Sequence, residues 1–198
     1  MFALLALPLL GVERLLYGYI YHFTESFKGL CRTPPLKTLL EKDEGQYWLV
    51  AKHLGVIIKV LQFGVIGYDF IFNITLQLAP AGTLAVGVLL MFLGQLLNAA
   101  VFNAIGAKGV YYGAQLGYET PWCTSFPYNM GLPDPQYWGV VLFVWGIYFS
   151  IAPGPNIFSG HFVVPWLETF WYLVSMKLLE HTENGGYVLK MLGLKQKS

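Results

Sequence analysis

Charged residues are scarce in this chain, and their scarcity excludes the first class of protein to consider. Of 198 residues, only 12% are Asp, Glu, Lys or Arg, whereas 56% are hydrophobic and the mean hydropathy is +0.53. Because a soluble domain carries roughly 25% charged residues, the composition indicates an integral membrane protein. The formal net charge of +1 also gives no reason to expect a nucleic-acid partner.

Cysteine is equally scarce. Cys31 and Cys123 are the two cysteines, and they lie far apart in different connections between apolar segments. Two separated thiols make neither a disulfide framework nor a clustered zinc site. We therefore expect two free thiols and no bound metal.

Long apolar runs are what the chain has instead. A bilayer span takes about 20 apolar residues, and four segments approach that length: 53–78, 82–105, 137–151 and 156–179. The second is the clearest and the third is short. In the fourth, Pro165 should kink or restart the helix, because proline removes an amide donor and clashes with the preceding turn.

The N-terminal stretch differs from these spans. Residues 1–21 begin without basic residues, and Glu13 and Arg14 interrupt them after a short apolar run. We therefore expect a retained helix that is partly embedded or interfacial, not a cleaved signal peptide. The predicted fold is an all-α integral membrane bundle of about four transmembrane helices plus this helix. We expect one domain over 1–198, with an N-terminal helix and charged loop (1–52), three spans (53–151), and a last span with a polar tail (152–198).

The charged residues are unevenly distributed between connections. Residues 24–52 are rich in Lys, Arg, Asp and Glu, whereas the connections NITLQLAPAG and APGPNIFSG contain none. If the spans alternate in direction, the charged loop, the loop with Lys108 and Asp134, and the tail after Glu180 face one side. Excess Lys and Arg marks the cytoplasmic or matrix side, so a polar co-substrate should arrive there.

A series of motifs follows the second span: LGQLLNAAVFNAIGAKGVYYGAQLG at 93–117, FPYN at 126–129 and DPQYWG at 134–139. The series resembles the phosphatidylethanolamine N-methyltransferases, which have a Gly-Gln helix start, a Gly-x-x-Gly-x-x-x-Gly run, Phe-Pro-Phe-Asn and Asn-Pro-Met-Tyr-x-Gly. The matching residues are, in order, Gly94, Gln95, Gly106, Gly109, Gly113, Gly117, Phe126, Pro127, Asn129, Pro135, Tyr137 and Gly139. More weakly, residues 11–29 resemble a Glu-containing amphipathic segment of that family.

The resemblance implies methylation of phosphatidylethanolamine or its methylated intermediates by S-adenosylmethionine, in the endoplasmic reticulum or mitochondrial inner membrane, with phospholipid bound. It places the methyl donor at Gly94, Gln95, Asn98 and Glu180, with Glu180 and His181 as catalytic candidates. Glycine lets a ligand approach the backbone, and a carboxylate can accept hydrogen bonds from ribose hydroxyls or a proton from the amine. The substrate-loop candidates are Phe126, Pro127, Asn129 and Tyr137, in a segment whose prolines and glycines would fix a cover over the pocket.

Three positions depart from the family pattern. Phe92 lies where a small residue is expected, Ala114 replaces an acidic residue, and His181 replaces the second carboxylate of a terminal pair. These departures motivate a second hypothesis, a catalytically degenerate family member that serves as a structural or lipid-binding subunit of a larger membrane complex. A third is another methyl acceptor, such as an isoprenylated cysteine or a sterol-type lipid. If the Phe92 ring points between the helices of Gly94 and Glu180, it fills the pocket.

The site candidates also have structural interpretations. Gly94 is equally explained as a small residue that lets helices pack closely, and Gln95 and Asn98 as partners in interhelical hydrogen bonds. Glu180 and His181 are equally explained as a solvated helix end.

Three further charged residues lie within or beside the spans. Glu168 is expected either in a first helical turn, where the helix dipole favours a carboxylate, or as an intramembrane acid that faces a cavity. We expect Lys59 to snorkel towards the interface, and Asp69 to cap a helix or lie at the far interface.

Overall fold

The computed structural model describes residues 2–74, 77–151 and 156–180, and this part of the chain is helical without any strand. The seven α-helices are α1 (Phe2–His22), α2 (Thr24–Cys31), α3 (Leu36–Lys42), α4 (Tyr47–Phe72), α5 (Ala81–Val110), α6 (Pro135–Ile151) and α7 (Val163–Val174). Short 3₁₀ turns cover Tyr128–Met130 and Gly160–Phe162, and a π-helical turn, Ser175–Leu179, prolongs α7.

The predicted all-α membrane fold is confirmed. Within the described residues, four stretches are long and apolar enough to cross a bilayer, namely α1, α4, α5 and Gly160–Leu179. The short third span is α6, whose 17 residues extend about 26 Å at 1.5 Å per residue. The N-terminal helix is longer than the predicted partial helix and is itself long enough to span. Pro165 lies in the first turn of α7, where a proline is tolerated.

Large apolar side chains cover the outer faces of the bundle. They include Ile57, Val60, Phe63 and Ile71 on α4 and Val88, Leu89 and Phe92 on α5, all at least 51% exposed. Apolar exposure of this extent suits a lipid solvent and not water. These faces therefore support the membrane assignment independently of helix length.

Helices α5 and α6 pack through glycines. A Cβ added at Gly94 would lie 2.5 Å from the carbonyl oxygen of Gly139, and one added at Gly146 would lie 2.6 Å from that of Gly87. Such distances leave no room for a side chain, so the two backbones are in direct contact. Small residues at a membrane helix interface allow this approach, and they join α5 and α6 into one unit.

Helix α1 packs against both α4 and α7. Gln62 of α4 donates a 2.8 Å hydrogen bond to the carbonyl of Leu10, and Trp171 of α7 donates a 2.7 Å bond to that of Leu7. Leu10 and Ile20 are fully buried. The helix that the sequence predicts to be partly embedded or interfacial thus packs inside the bundle against α4 and α7.

Two hydrophobic clusters lie at opposite ends of the bundle. One contains Leu10, Ile66, Phe70 and Tyr148, and the other contains Tyr17, Phe27, Cys31, Val50 and Tyr112. The buried charged and amide side chains of Glu13, Arg14, Gln62 and Glu168 lie in the helices between them. A set of buried charged and amide side chains therefore lies between these two hydrophobic clusters.

Candidate active site

A cavity of about 390 Å³ lies near the charged end of the bundle. At this end a hydrogen bond from Tyr137 to Glu180 joins the start of α6 to the end of the last span. Five membrane helices contribute to its walls. The polar residues that line it are Glu13, Arg14, Tyr17, Lys59, Gln95, Asn98, Tyr111, Tyr112, Gln115, Tyr128, Asp134, Gln136, Tyr137, Tyr172 and Glu180.

Four of the predicted site residues share this cavity: Gln95, Asn98, Tyr137 and Glu180. They come from α5, from α6 and from the end of the last span. Gly94 is buried against α6 and is not among the lining residues, so its position matches the helix-packing interpretation. His181 lies outside the described residues.

The predicted substrate loop is divided. Tyr128 and Asp134 line the cavity, and Pro127 is buried, whereas Phe126 and Asn129 are exposed. Phe126 lies instead over a shallow groove on the outer side of α5 with Leu96 and Asn103. The loop therefore borders the cavity mainly through its second half.

The Phe92 ring does not fill the cavity. The residue is 63% exposed and lies on an outer groove with Leu89 and Ala85. Ala114 is also exposed, and the neighbouring Gln115 is the residue that lines the cavity. Two of the three departures from the family pattern therefore leave the cavity open.

A buried ionic cluster forms one wall. The Glu13 carboxylate Oε2 is 3.0 Å from an Arg14 guanidinium nitrogen and 2.6 Å from the Lys59 Nζ. Lys59 also donates to Gln62 at 2.9 Å and to the Tyr172 hydroxyl at 3.0 Å. The snorkelling predicted for Lys59 is wrong, because a buried carboxylate holds its amine inside the bundle.

Three tyrosine rings surround Arg14. Its guanidinium carbon is 4.9 Å from the ring centroid of Tyr17, 4.5 Å from that of Tyr137 and 4.4 Å from that of Tyr172. The faces of these rings attract a cation and fix the guanidinium where it is. Sequence reasoning missed this cluster as part of the site, although two adjacent charges in an apolar run are themselves a signal of a functional intramembrane group.

A chain of hydroxyl groups leads to Glu180. The hydroxyls of Tyr112 and Tyr137 are 2.9 Å apart, and those of Tyr137 and Ser175 donate to Glu180 Oε1. Among the described residues, both bonds to this carboxylate use the same oxygen. Glu180 is therefore held in place by the protein with its other oxygen not engaged in these bonds.

The cavity mouth depends on a break in α5. Gly106 has φ 66° and ψ 170°, a conformation that is essentially restricted to glycine. The chain redirected there places Tyr111 and Tyr112 against the cavity. Burial raises the pKa of the Tyr112 hydroxyl well above its usual value, so this group remains a neutral hydrogen-bond donor.

Asp134 lies at the same mouth, immediately before α6. Partial removal of water from its carboxylate, and then repulsion by Glu180, raise its pKa to about 6. The residue remains exposed. The mouth thus carries two neighbouring carboxylates, which suits a polar or cationic ligand.

Glu168 is the sixth residue of α7 and is only 2% exposed. It lines a second cavity, of about 150 Å³, with Lys59, Gln62, Gln95 and Asn98. Of the two interpretations left open by the sequence, the intramembrane acid that faces a cavity is the one observed. Asp69, by contrast, is buried in the last turn of α4 and accepts hydrogen bonds from Tyr148 at 2.7 Å and Asn73 at 3.0 Å.

Comparison with known proteins places this site in a family. The family model described as phospholipid methyltransferase matches residues 83–183, which is just over half of the chain and contains Gln95, Asn98, Tyr137 and Glu180. A phosphatidyl-N-methylethanolamine N-methyltransferase of Arabidopsis thaliana is 43% identical over 53 residues, which are 27% of this chain and 32% of that protein. The match thus spans about a third of the relative's length, and no solved structure matches the chain. The chain belongs to the phospholipid methyltransferase family.

Proposed function

We propose that the protein transfers methyl groups from S-adenosylmethionine to the amine of phosphatidylethanolamine or of its methylated intermediates. The observation that carries this proposal is the convergence of Gln95, Asn98 and Glu180 on one cavity at the charged end of an otherwise apolar bundle. A polar methyl donor needs water-side access, whereas a lipid acceptor needs access from the bilayer. The named activity of the partial relative, on phosphatidyl-N-methylethanolamine, supports the same acceptor class.

The residues present fit a nucleoside-containing methyl donor. A volume of about 390 Å³ falls in the range of about 300–1,000 Å³ that small-molecule sites have. Glu180 can accept hydrogen bonds from ribose hydroxyls or an amino group, and the amides of Gln95 and Asn98 can donate or accept. When bound, the donor supplies a methyl group on a positively charged sulfur.

The protein's own contribution is to hold these groups ready. Tyr137 and Ser175 fix the Glu180 carboxylate, and the ionic cluster of Glu13, Arg14 and Lys59 fixes the opposite wall. Polar groups that are already oriented need little rearrangement when a ligand binds. The catalytic role of His181 and the location in the endoplasmic reticulum or mitochondrial inner membrane remain predictions.

Methyl transfer is preferred over the role of a degenerate subunit. That alternative rested on Phe92, Ala114 and His181, and the first two lie outside the cavity wall. Other membrane-complex subunits as partners remain a prediction, and no described contact favours them.

Incorporation of labelled methyl groups tests the proposal. Purified protein in nanodiscs that contain phosphatidylethanolamine is incubated with methyl-labelled S-adenosylmethionine, and the lipids are then extracted. We expect label in N-methylated phosphatidylethanolamines and a loss of at least about 100-fold in the Glu180→Gln variant, since that change removes a positioned charge. Glu41→Gln on the exposed α3 is the control. If the wild-type protein does not bind the donor and transfers no label, the proposal is refuted.

A further inference from the structure

The second cavity has a composition that methyl-donor binding does not explain. It lies between α4, the α5–α6 pair and α7. Half of its ten lining residues are apolar, among them Ile66, Phe143 and Val144, and Glu168 of α7 lies in its wall. It shares Lys59, Gln95, Asn98 and Val140 with the main cavity. The two spaces are therefore adjacent, and a volume of about 150 Å³ suits a small headgroup and not a nucleoside.

Glu168 is a buried carboxylate with an unsatisfied oxygen. The residue is 2% exposed, and among the described residues its Oε2 has no hydrogen-bond partner. No ion pair to Glu168 occurs within 4.0 Å in that part of the chain. A carboxylate kept in such surroundings is costly unless something compensates it, and within a membrane helix it marks a functional site.

Asp69 shows what a structural carboxylate looks like in the same bundle. It is equally buried, at 2% exposure, but Tyr148 donates to one oxygen and Asn73 to the other. It lines neither of the two cavities. The difference between the two residues lies in their partners and not in their burial.

The charges around the second cavity favour a zwitterion. Lys59 is the member of the ionic cluster that lines this cavity, and it pairs with Glu13, which also pairs with Arg14. The cluster carries one more positive than negative charge, and Glu168, which lines the same cavity, supplies a negative charge. A phospholipid headgroup with a phosphate and an amine carries the opposite arrangement. Its phosphate can lie towards the cationic cluster while its ammonium lies at Glu168.

The cavity also has a route to the bilayer. Helices α4 and α5 scarcely contact each other in the described residues, since α4 packs mainly on α1 and α5 mainly on α6. Phe63, which lines the cavity from α4, is 52% exposed on the apolar outer face. A lipid can thus reach Glu168 from the side, whereas the methyl donor enters at the charged end.

We propose that this second cavity receives the amine of an aminophospholipid headgroup and that Glu168 binds the ammonium group and accepts its proton. In that step an N–H bond breaks, an O–H bond forms on the Glu168 carboxylate, and the electron pair stays on the nitrogen, which becomes a nucleophile. This role rests on the proposed methyl transfer. It assigns acceptor binding to Glu168, separately from the donor binding assigned to Glu180.

Lipid retention tests the binding step without relying on catalysis. The protein is equilibrated in detergent micelles with equal amounts of phosphatidylethanolamine and phosphatidylglycerol of the same acyl chains, and bound lipid is counted by native mass spectrometry. We expect wild-type protein and the Asp69→Asn control to prefer phosphatidylethanolamine by about fivefold or more, and Glu168→Gln to lose the preference. Equal preference in Glu168→Gln and wild type, or no preference in wild type, overturns the proposal.

Kinetics in nanodiscs then separates the two assignments. At saturating methyl donor, Glu168→Gln should lower kcat/KM for phosphatidylethanolamine by about 100-fold or more, as loss of a proton acceptor does, while its Kd for the donor stays within about twofold of wild type. If wild type retains the lipid preference but transfers no methyl group, the proposed function fails and the amine site stands. If Glu168→Gln does not fold, the lipid-retention measurement is made instead with Phe63→Trp, which changes the exposed mouth of the cavity. Unchanged lipid retention in that variant counts against the proposal.

Discussion

The side of α5 that packs on α6 and the side that faces the cavities differ in what they do. On one side Gly87 and Gly94 lie against the backbone of α6, with no space for a methyl group. On the other side Gln95 and Asn98 face cavities of about 390 and 150 Å³. Adjacent residues, Gly94 and Gln95, thus face a helix backbone and a cavity respectively. The packed side holds the helix at a fixed position, and the open side presents polar groups at that position.

The largest expected effect comes from breaking the polar wall opposite α5. Glu13→Gln leaves the buried Arg14 and the partly buried Lys59 without their shared carboxylate, and removal of one partner from a buried ionic cluster costs about 3–5 kcal/mol. Thermal unfolding in a fixed detergent measures the loss. Glu25→Gln is the control, because its pair with Lys28 is largely exposed and such pairs contribute about 0–1 kcal/mol. Similar effects of the two changes would contradict the buried cluster.

Adding a single methyl group to the side of α5 that packs on α6 should destabilise the protein. In Gly94→Ala the new Cβ would lie 2.5 Å from a backbone oxygen of α6, and overpacking of this kind costs about 1–3 kcal/mol. Gly64→Ala on α4 has nothing within 4 Å of the new Cβ, so it should leave the protein unchanged or stabilise it by about 0.5–1 kcal/mol through helix propensity. Unfolding midpoints that rank the two variants in the reverse order would show that α5 and α6 are not in backbone contact.

A smaller effect should come from Asp134 at the cavity mouth. Its pKa of about 6 in the folded protein lies above the value of about 3.9 for an unperturbed aspartate, so the folded state holds the proton more tightly. The stabilising contribution is complete below about pH 4 and is lost as the pH rises through 6. The melting temperature of wild type relative to Asp134→Asn should therefore fall between pH 4 and 6, by a few degrees at most. A rising difference over that interval would contradict the assigned shift, and Glu119→Gln is the control for an exposed carboxylate.

The last comparison concerns the accessibility of the two cysteine thiols, one in a packed region and one on an open surface. Cys31 is fully buried, and burial raises the pKa of its thiol to about 11. Cys123 is partly exposed on the loop before the FPYN segment. At pH 7.5 a maleimide should label Cys123 within minutes and leave Cys31 unmodified until the protein is unfolded. Rapid double labelling of native protein would show that the Cys31 cluster is open.

Hydropathy was sufficient to predict the spans of α4, α5 and the last helix, because apolar length is a property of each segment alone, but α1, which is also long enough to span, was predicted only as a partly embedded or interfacial helix. The positions of Gln95, Asn98, Tyr137 and Glu180 at one site could likewise be predicted, from motifs that the family shares. The role of Gly94 could not, since glycine serves close packing and ligand approach alike and only the neighbouring helix decides between them. The packing of α1 could not be predicted either, because Glu13 and Arg14 interrupt its apolar run and resemble an interface.

Sequence reasoning placed Lys59 wrongly and left two interpretations of Glu168 open, for a related reason. A lysine near the end of a span usually reaches for water, whereas this one is held inside by Glu13 and Tyr172 on other helices. Glu168 follows a proline closely enough to suggest a helix start, whereas α7 begins at Val163 and places it a turn deeper. In both cases the partner or the cavity belongs to the tertiary structure, and no local pattern encodes it.

The central claim is that Gln95, Asn98 and Glu180 together form one donor site. Calorimetric titration of S-adenosylmethionine into the protein in nanodiscs tests it most directly. We predict saturable binding to wild type, weakening of about tenfold or more in both Gln95→Leu and Glu180→Gln, and unchanged binding in Glu168→Gln and Asp69→Asn. Undiminished binding after both Gln95→Leu and Glu180→Gln, in protein that remains folded, would contradict the account.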